Sequence, residues 1–354
     1  MLALKKLFQL GGNNKTTSSK HKTKKLSKSA SIAEFTTCAP YIEKTADENK
    51  RVKGKCLSMD PKTKKCNKRN KIMTLRSVHK QSCLTPDALR LLVNAWNTEF
   101  PAQQIKYAEP LSGVWEQLRA HIIKHIPLES GEHAWLEQPW VHKALTAEKA
   151  EKIKDTLYRP EAPDEWDDNP QTWLSTDEIN DALKQYEIKY PAFKYYGAMP
   201  IDFDLKTATG SCMINSLCQI NLAELLKKRV PATDFIGMVF NLDKHNQPGS
   251  HWISLFINIP KREINFWDSF AMSPPAEVGN LIKKVQAQGN KLGIKFKVQI
   301  NKRKHQLKNT ECGVYSINFI VEQLEGKPFK EVCNTIIRDE AMNSRRQLYF
   351  SRNS

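Results

Sequence analysis

An α+β fold is expected from three observations. Beyond Pro170 the chain leaves helical periodicity for strand-like runs, and the strands and helices that follow do not alternate as regular βαβ units. A content of 40% hydrophobic and 26% charged residues is that of an ordinary globular chain, and 354 residues leave room for one or two domains. No apolar run approaches the roughly 18–20 residues that a membrane span needs. The segment Met1-Leu2-Ala3-Leu4-Lys5-Lys6-Leu7 has neither the apolar core nor the cleavage site of a secretory signal, so no membrane partner is expected. Eight cysteines at irregular spacing in such a chain point to an intracellular, reducing compartment, where a thiol nucleophile survives, and not to a disulfide framework.

Residues 1–80 are read as a basic, mostly disordered tail. They carry 21 Lys and Arg against 5 Asp and Glu, which accounts for nearly all of the net charge of +17. Gly11-Gly12-Asn13-Asn14, a Ser/Thr/Lys-rich run and clusters such as Lys62-Thr63-Lys64-Lys65 offer little apolar surface to offset the entropy of ordering. A solubilising tail, a nuclear-import signal, and attachment to nucleic acid or another polyanion all fit that charge. Cys56, Cys66, His79 and Cys83 are spaced by nine, twelve and three residues; the first gap exceeds that of structural zinc sites. They are read as incidental thiols, and no metal or cofactor is expected.

Residues 83–160 form a helical accessory region. Thr85-Pro86-Asp87 reads as an N-cap, a Pro at the first helical position and an early acid, and Leu89, Leu92, Val93 and Trp96 then recur at helical spacing. Val114–Ile126 and Ala147–Leu157 repeat the pattern, and three prolines between 160 and 170 mark a linker. Residues 171–348 make the third unit. Ser175 and Glu178 fit a capping box before a helix to Tyr190, and a second helix is predicted over Met213–Lys228. Strands are predicted at Phe235–Leu242, Trp252–Ile259, Glu263–Trp267 and Lys295–Ile300, with helices at 276–292, 313–324 and 329–348.

This third unit holds the parts of thiol catalysis: a nucleophile, a base, a group that orients the base, and an oxyanion donor. Cys312 stands where a helical pattern begins, and unpaired N–H groups at a helix start favour a thiolate. His251 sits between a Pro-Gly turn and an apolar strand, and Asp268 ends the next strand. A hairpin turn at Pro260-Lys261-Arg262 would put both on neighbouring antiparallel strands, at the end away from the turn, where the carboxylate can hold the imidazole. Gln306, six residues before Cys312, offers an amide N–H. Each residue alone has a plainer reading: a packed thiol, a half-buried histidine, a strand-ending turn acid, a solvated amide. Cys212, Cys218 and Cys333 lie among apolar residues and are read as packing thiols.

His251-Trp252, Trp267-Asp268-Ser269 and Gln306-Leu307-Lys308-Asn309-Thr310-Glu311-Cys312-Gly313 together resemble the signature of the ubiquitin-like-protein protease family. That family includes deSUMOylating enzymes and is related to the adenovirus maturation protease. Upstream, Trp173-Leu174-Ser175-Thr176-Asp177-Glu178-Ile179-Asn180 is similar to the family's Trp-Leu-x-Asp-x-x-Ile-Asn motif, with the Asp one position late. Glu311 stands where deSUMOylating enzymes usually carry Asp. The resemblance covers about residues 171–345. It implies a papain-like cysteine protease fold of the adenovirus-protease clan, with His251, Asp268 and Cys312 as triad and Gln306 as oxyanion donor. It also implies a narrow tunnel between Trp252 and Trp173, which admits a protein substrate with Gly-Gly before the scissile bond; core packing is the plainer reading for both indoles.

Three functions are compatible with these residues. The leading one is a maturation peptidase that cuts polyproteins or structural proteins after Gly-Gly, as in large DNA viruses; its location would be the virion. The alternative is a processing protease or isopeptidase for SUMO or another ubiquitin-like protein, in cytoplasm or nucleus. The third is a non-peptidase, an acetyltransferase of the same clan or a binding module, against which Asp268 speaks because the acetyltransferases usually carry Glu there.

Overall fold

The computed structural model describes residues 37–43, 72–125, 131–227 and 232–351. Most of the span read as a basic tail therefore lies outside the described residues, including Cys56 and Cys66. Two pieces of it, 37–43 and 72–80, are packed. β1 (Ile42–Glu43) pairs in parallel with β2 (Leu75–Arg76), and Cys38, Ala39 and Tyr41 are buried. Four helices follow: α1 (Pro86–Glu99), α2 (Leu111–Ile122), α3 (Pro139–Leu145) and α4 (Ala147–Leu157). Thr85 caps α1 by accepting the Ala88 N–H, and Leu89, Leu92, Val93 and Trp96 face a core shared with Val114, Leu118 and Val141. Glu132 ties the region together. Its carboxylate accepts from the Trp115 indole and the Ser82 hydroxyl at 2.6 Å, the Cys83 N–H at 2.7 Å and the Tyr158 hydroxyl at 2.9 Å.

Cysteine pairing corrects the expectation of unpaired thiols. Cys38 is bonded to Cys83, and Cys212 to Cys218, which leaves Cys312 and Cys333 free among the described residues. Cys83 is thereby removed from the zinc set considered above. The first pair forms because residues 37–43 fold back over the start of α1, a contact between segments 45 positions apart that no local pattern announces.

Beyond the accessory helices come α5 (Glu165–Asp168), α6 (Thr176–Lys189), β3 (Phe193–Pro200), α7 (Asn215–Cys218), α8 (Leu222–Lys227), β4 (Phe235–Asn241), β5 (Trp252–Asn258), β6 (Glu263–Trp267), α9 (Ala276–Lys291), β7 (Lys297–Ile300), α10 (Cys312–Leu324), α11 (Phe329–Asn334) and α12 (Asp339–Ser344). The strands form one sheet in the order β3-β4-β5-β6-β7, with β5 antiparallel to both β4 and β6 and both edge strands parallel to their neighbours. This is the α+β class expected. Along β5 the side chains alternate: Trp252 and Phe256 join the cluster under α10 and α6, while Ile253, Leu255 and Ile257 face α9. With helices on both faces, every residue of β5 is buried. Every residue of α10 is buried too, and several of its polar side chains are paired, as in the 2.8 Å bond from Asn265 to Gln323.

Three expectations need adjustment. The proline-rich stretch 160–170 is docked rather than loose: Ser351 N–H donates to Pro160, Ala162 N–H donates to Ser351, both at 2.8 Å, and Trp166 packs edge-on against Phe350. The helix predicted over 213–228 is two short helices, because Asn221 takes the Ala223 and Glu224 N–H groups and starts a new one. The terminal helix predicted over 329–348 is likewise split into α11, α12 and a 3-10 turn at Arg345–Leu348.

Candidate active site

The β5–β6 hairpin brings its two flanking residues together. Its ladder runs from Asn258↔Glu263 at the turn to Ser254↔Trp267 at the open end, so His251 and Asp268 leave the sheet side by side. His251 Nε2 lies 2.7 Å from Asp268 Oδ1. Asp268 is itself fixed: Oδ1 accepts the Phe270 N–H at 2.9 Å, and Oδ2 accepts the Met272 N–H at 3.1 Å. Phe270 stacks on the imidazole with ring centroids 4.7 Å apart. Cys312 is the first residue of α10, and its side chain lies close enough to the same imidazole to raise the ring's pKa. Burial by itself would lower the His251 pKa. The hydrogen bond to Asp268, with the negative charges of Asp268 and Cys312, outweighs it and raises the pKa to about 9.

Gln306 is fully buried, and Ser269 holds it twice: its N–H donates to the Ser269 carbonyl at 3.1 Å, and its Oε1 accepts the Ser269 hydroxyl at 2.6 Å. That second bond consumes the amide oxygen. The Nε2 donor has no protein partner. A buried N–H without a partner costs about 1–3 kcal/mol, so its persistence here marks a position that an incoming acceptor can fill.

Over the start of α10 lies the segment Thr172-Trp173-Leu174. Trp252 Nε1 donates to the Leu174 carbonyl at 2.9 Å, and Arg346 Nη2 donates to the Thr172 carbonyl at 2.5 Å. A Cβ on Gly313 would stand 2.8 Å from the Leu174 Cβ, so the close approach of this segment requires glycine. Trp173 is 39% exposed, while Trp252 is 5% exposed and shares a core cluster with Leu174 and Cys312. Arg346 lies flat on Trp166 at 4.6 Å. Burial lowers its pKa, opposed by the charges of Glu311, Glu178 and Cys312.

His251, Asp268 and Cys312 therefore come together with Gln306 held beside them by Ser269, Trp252 follows His251, and Trp173 lies exposed in the segment over the start of α10. Sequence reasoning passed over Asp339 and Arg346, which lie beyond every motif it used. Ser269 was visible inside the Trp-Asp-Ser triplet but had been given no task. Among the described residues no group of His, Cys, Asp and Glu is arranged to hold a metal ion, and no helix is long and apolar enough to cross a membrane.

Residues 192–353 match the Ulp1 protease family, C-terminal catalytic domain. A putative thiol protease of Acanthamoeba polyphaga mimivirus is 33% identical over 214 residues, covering 59% of this chain and 67% of the relative. A cysteine protease of African swine fever virus is 27% identical over 184 residues, covering 48% of this chain and 64% of the relative. In three dimensions the crystal structure of the African swine fever virus protease superposes with a TM-score of 0.55 at 20% identity, over 77% of this chain and 92% of that one. Fold and relatives make this molecule a cysteine-type peptidase. It belongs to the Ulp1 protease family, the family its motifs resemble.

Proposed function

We propose that the protein cleaves peptide bonds after Gly-Gly, with Cys312 as nucleophile, His251 as acid and base, Asp268 as the group that orients His251, and Gln306 as oxyanion donor. The observation that carries this reading is the buried imidazole bound to Asp268 at 2.7 Å, with Cys312 at the start of α10 close enough to raise the ring's pKa. With a pKa of about 9, His251 is an imidazolium at neutral pH, the partner a thiolate needs. Thiolate attack on the glycine carbonyl forms the C–S bond and places negative charge on oxygen. Gln306 Nε2 and the N–H groups at the start of α10 stabilise that charge. His251 then passes its proton to the leaving amine, and the thioester remains. Water, deprotonated by His251, releases the acid and frees the thiol. Asp268 keeps the ring in place.

Diglycine selection is supported by the two indoles: Trp173 is exposed in the segment that Leu174 seats on Gly313, and Trp252 donates to the Leu174 carbonyl. Of the two substrate classes expected from the sequence, a ubiquitin-like protein has the more direct support, because an African swine fever virus relative bears the name SUMO-1 cysteine protease. Cleavage of viral polyproteins is supported by the source of the relatives, two large DNA viruses. A SUMO fusion and an unstructured peptide with an internal Gly-Gly separate them. Preference for the fusion by 100-fold or more in kcat/KM supports the first, equal rates support linear polyprotein sites, and failure to cut either one removes the diglycine reading.

A further inference from the structure

We propose that Asp339 is a positioning residue for the peptidase reaction, holding the loop between Gln306 and Cys312 so that the oxyanion donors stay aligned; the proposal rests on the role given to Gln306 above. The loop has little to hold it from its own side. Leu307 is 62% exposed, and Lys308 and Asn309 are exposed as well. Asp339 reaches it from the start of α12, thirty-odd residues further along the chain. Its Oδ2 accepts the N–H groups of both Leu307 and Lys308 at 2.9 Å, and its Oδ1 lies 3.2 Å from the Leu307 nitrogen. The carboxylate is 3% exposed, so these are charge-assisted bonds shielded from water. The same Oδ1 lies 3.2 Å from the Tyr315 hydroxyl, one turn along α10 from Cys312. By contrast, the neighbouring Lys308–Glu340 ion pair at 2.8 Å is solvent-exposed and contributes little.

Gln306 is thus gripped on two sides. Ser269 binds its backbone and its amide oxygen, and Asp339 binds the two N–H groups that follow it. The unpartnered Nε2 is aimed by these two grips together. An oxyanion donor acts only when it stands about 2.7–3.1 Å from the developing charge, and misplacement by 1 Å costs on the order of 100-fold. Releasing the Asp339 grip leaves Ser269 to hold the glutamine and lets the following residues drift, which makes the defect specific to steps that build negative charge on oxygen.

The test uses the full chain and four variants: Asp339→Ala, Asp339→Asn, Gln306→Ala, and Gln306→Ala combined with Asp339→Ala. Three quantities are read: kcat and KM on a diglycine peptide, inhibition by a diglycine peptide aldehyde, and alkylation of Cys312 by iodoacetamide. The aldehyde forms an oxyanion-bearing adduct, whereas iodoacetamide reacts at a saturated carbon and places no charge in the hole. For Asp339→Ala, kcat should fall by roughly 10- to 100-fold with KM within about threefold. Aldehyde affinity should weaken by a similar factor while alkylation keeps its rate. Asp339→Asn, which retains one carbonyl oxygen, should fall between wild type and alanine. The double variant should be no slower than Gln306→Ala, because both changes act on one donor. Alkylation that falls in step with kcat, or full additivity in the double variant, overturns the proposal in favour of a general role in the fold. Should Asp339→Ala fail to fold, wild-type kcat and aldehyde affinity in Asp339→Asn overturn it equally. Slow Gln306→Ala with fast Asp339 variants sinks the Asp339 proposal alone. Wild-type turnover by Gln306→Ala sinks the oxyanion assignment and this proposal with it.

Discussion

The indole N–H of Trp252 donates to the carbonyl of Leu174 across 2.9 Å, tying the strand that follows His251 to the segment that overlies Gly313. One hydrogen bond therefore couples the base, the thiol helix and the exposed face of Trp173. Trp252→Phe keeps an aromatic side chain, though a smaller one, and removes the bond, leaving a buried carbonyl unpaired at a cost of about 1–3 kcal/mol. Its expected signature is relaxed selectivity. The wild-type enzyme should cut peptides ending in Gly-Gly roughly 10- to 100-fold faster than Ala-Gly or Gly-Ala peptides, since each added methyl overpacks the slot. Trp252→Phe should narrow that ratio while lowering kcat/KM on the best substrate. Equal rates on all three peptides with the wild-type enzyme would count against the slot.

Removing members of the triad should cost orders of magnitude. Cys312→Ser and His251→Ala are expected to abolish peptide cleavage with the melting transition retained, and Asp268→Asn to be slow because the amide can stabilise the wrong tautomer. Near-full activity in Asp268→Asn would transfer the orienting role to another group.

The elevated His251 pKa predicts two pH effects. Because the folded value of about 9 lies above the ordinary 6.5, the stabilisation is complete below pH 6.5 and is lost as pH rises through 9. A gap of that size corresponds to roughly 3 kcal/mol. Urea unfolding should therefore show wild type gaining more over His251→Gln at pH 6 than at pH 10, and kcat/KM should fall on an alkaline limb near pH 9. An unchanged stability difference across that range would refute the ion-pair description.

Gly313→Ala isolates the close approach over α10. Alanine gains at most about 1 kcal/mol of helix propensity, less in a first turn, against an overpacking cost of about 1–3 kcal/mol for a Cβ placed 2.8 Å from the Leu174 Cβ. The clash wins. A melting temperature lowered by a few degrees and slower cleavage are expected, and calorimetry beside peptide assays checks both.

For the basic N-terminus, a truncation of residues 1–36 keeps the packed Cys38–Tyr41 segment in the chain and takes away eight Lys against one acid. Heparin retention should weaken and its salt dependence flatten, with cleavage of a short peptide unchanged. Equal retention of the two forms at low salt would dismiss polyanion binding through this stretch.

The sequence made some of this plain because the signals are local. The Ser175–Glu178 capping box is present with both reciprocal bonds, and the turn after Ile259 sets the register that brings His251 and Asp268 to the same end of the hairpin. β3 was missed because its run, Phe193–Pro200, has aromatics, a glycine and a proline without clean alternation; its strand character comes from parallel pairing with β4. Asp339 was hidden for a similar reason. A carboxylate at a helix start looks like an ordinary first-turn acid, and its bonds to Leu307 and Lys308 exist only once the chain has folded. The Cys38–Cys83 link left no trace in local spacing.

Ser351, the last residue described, pairs with Pro160 and Ala162, and Trp166 contacts both Phe350, edge-on, and the guanidinium of Arg346, which in turn holds Thr172. A fragment trimmed to begin at residue 171 would strip the indole from Arg346 and leave that cation, beside the thiol helix, without its cover. Grafting residues 192–353 into a foreign setting would lose Thr172–Leu174 as well. The peptidase unit is thus closed by a clasp drawn from two distant stretches of chain, so a change at residues 160–166 is expected to need an answering change at residues 346–351.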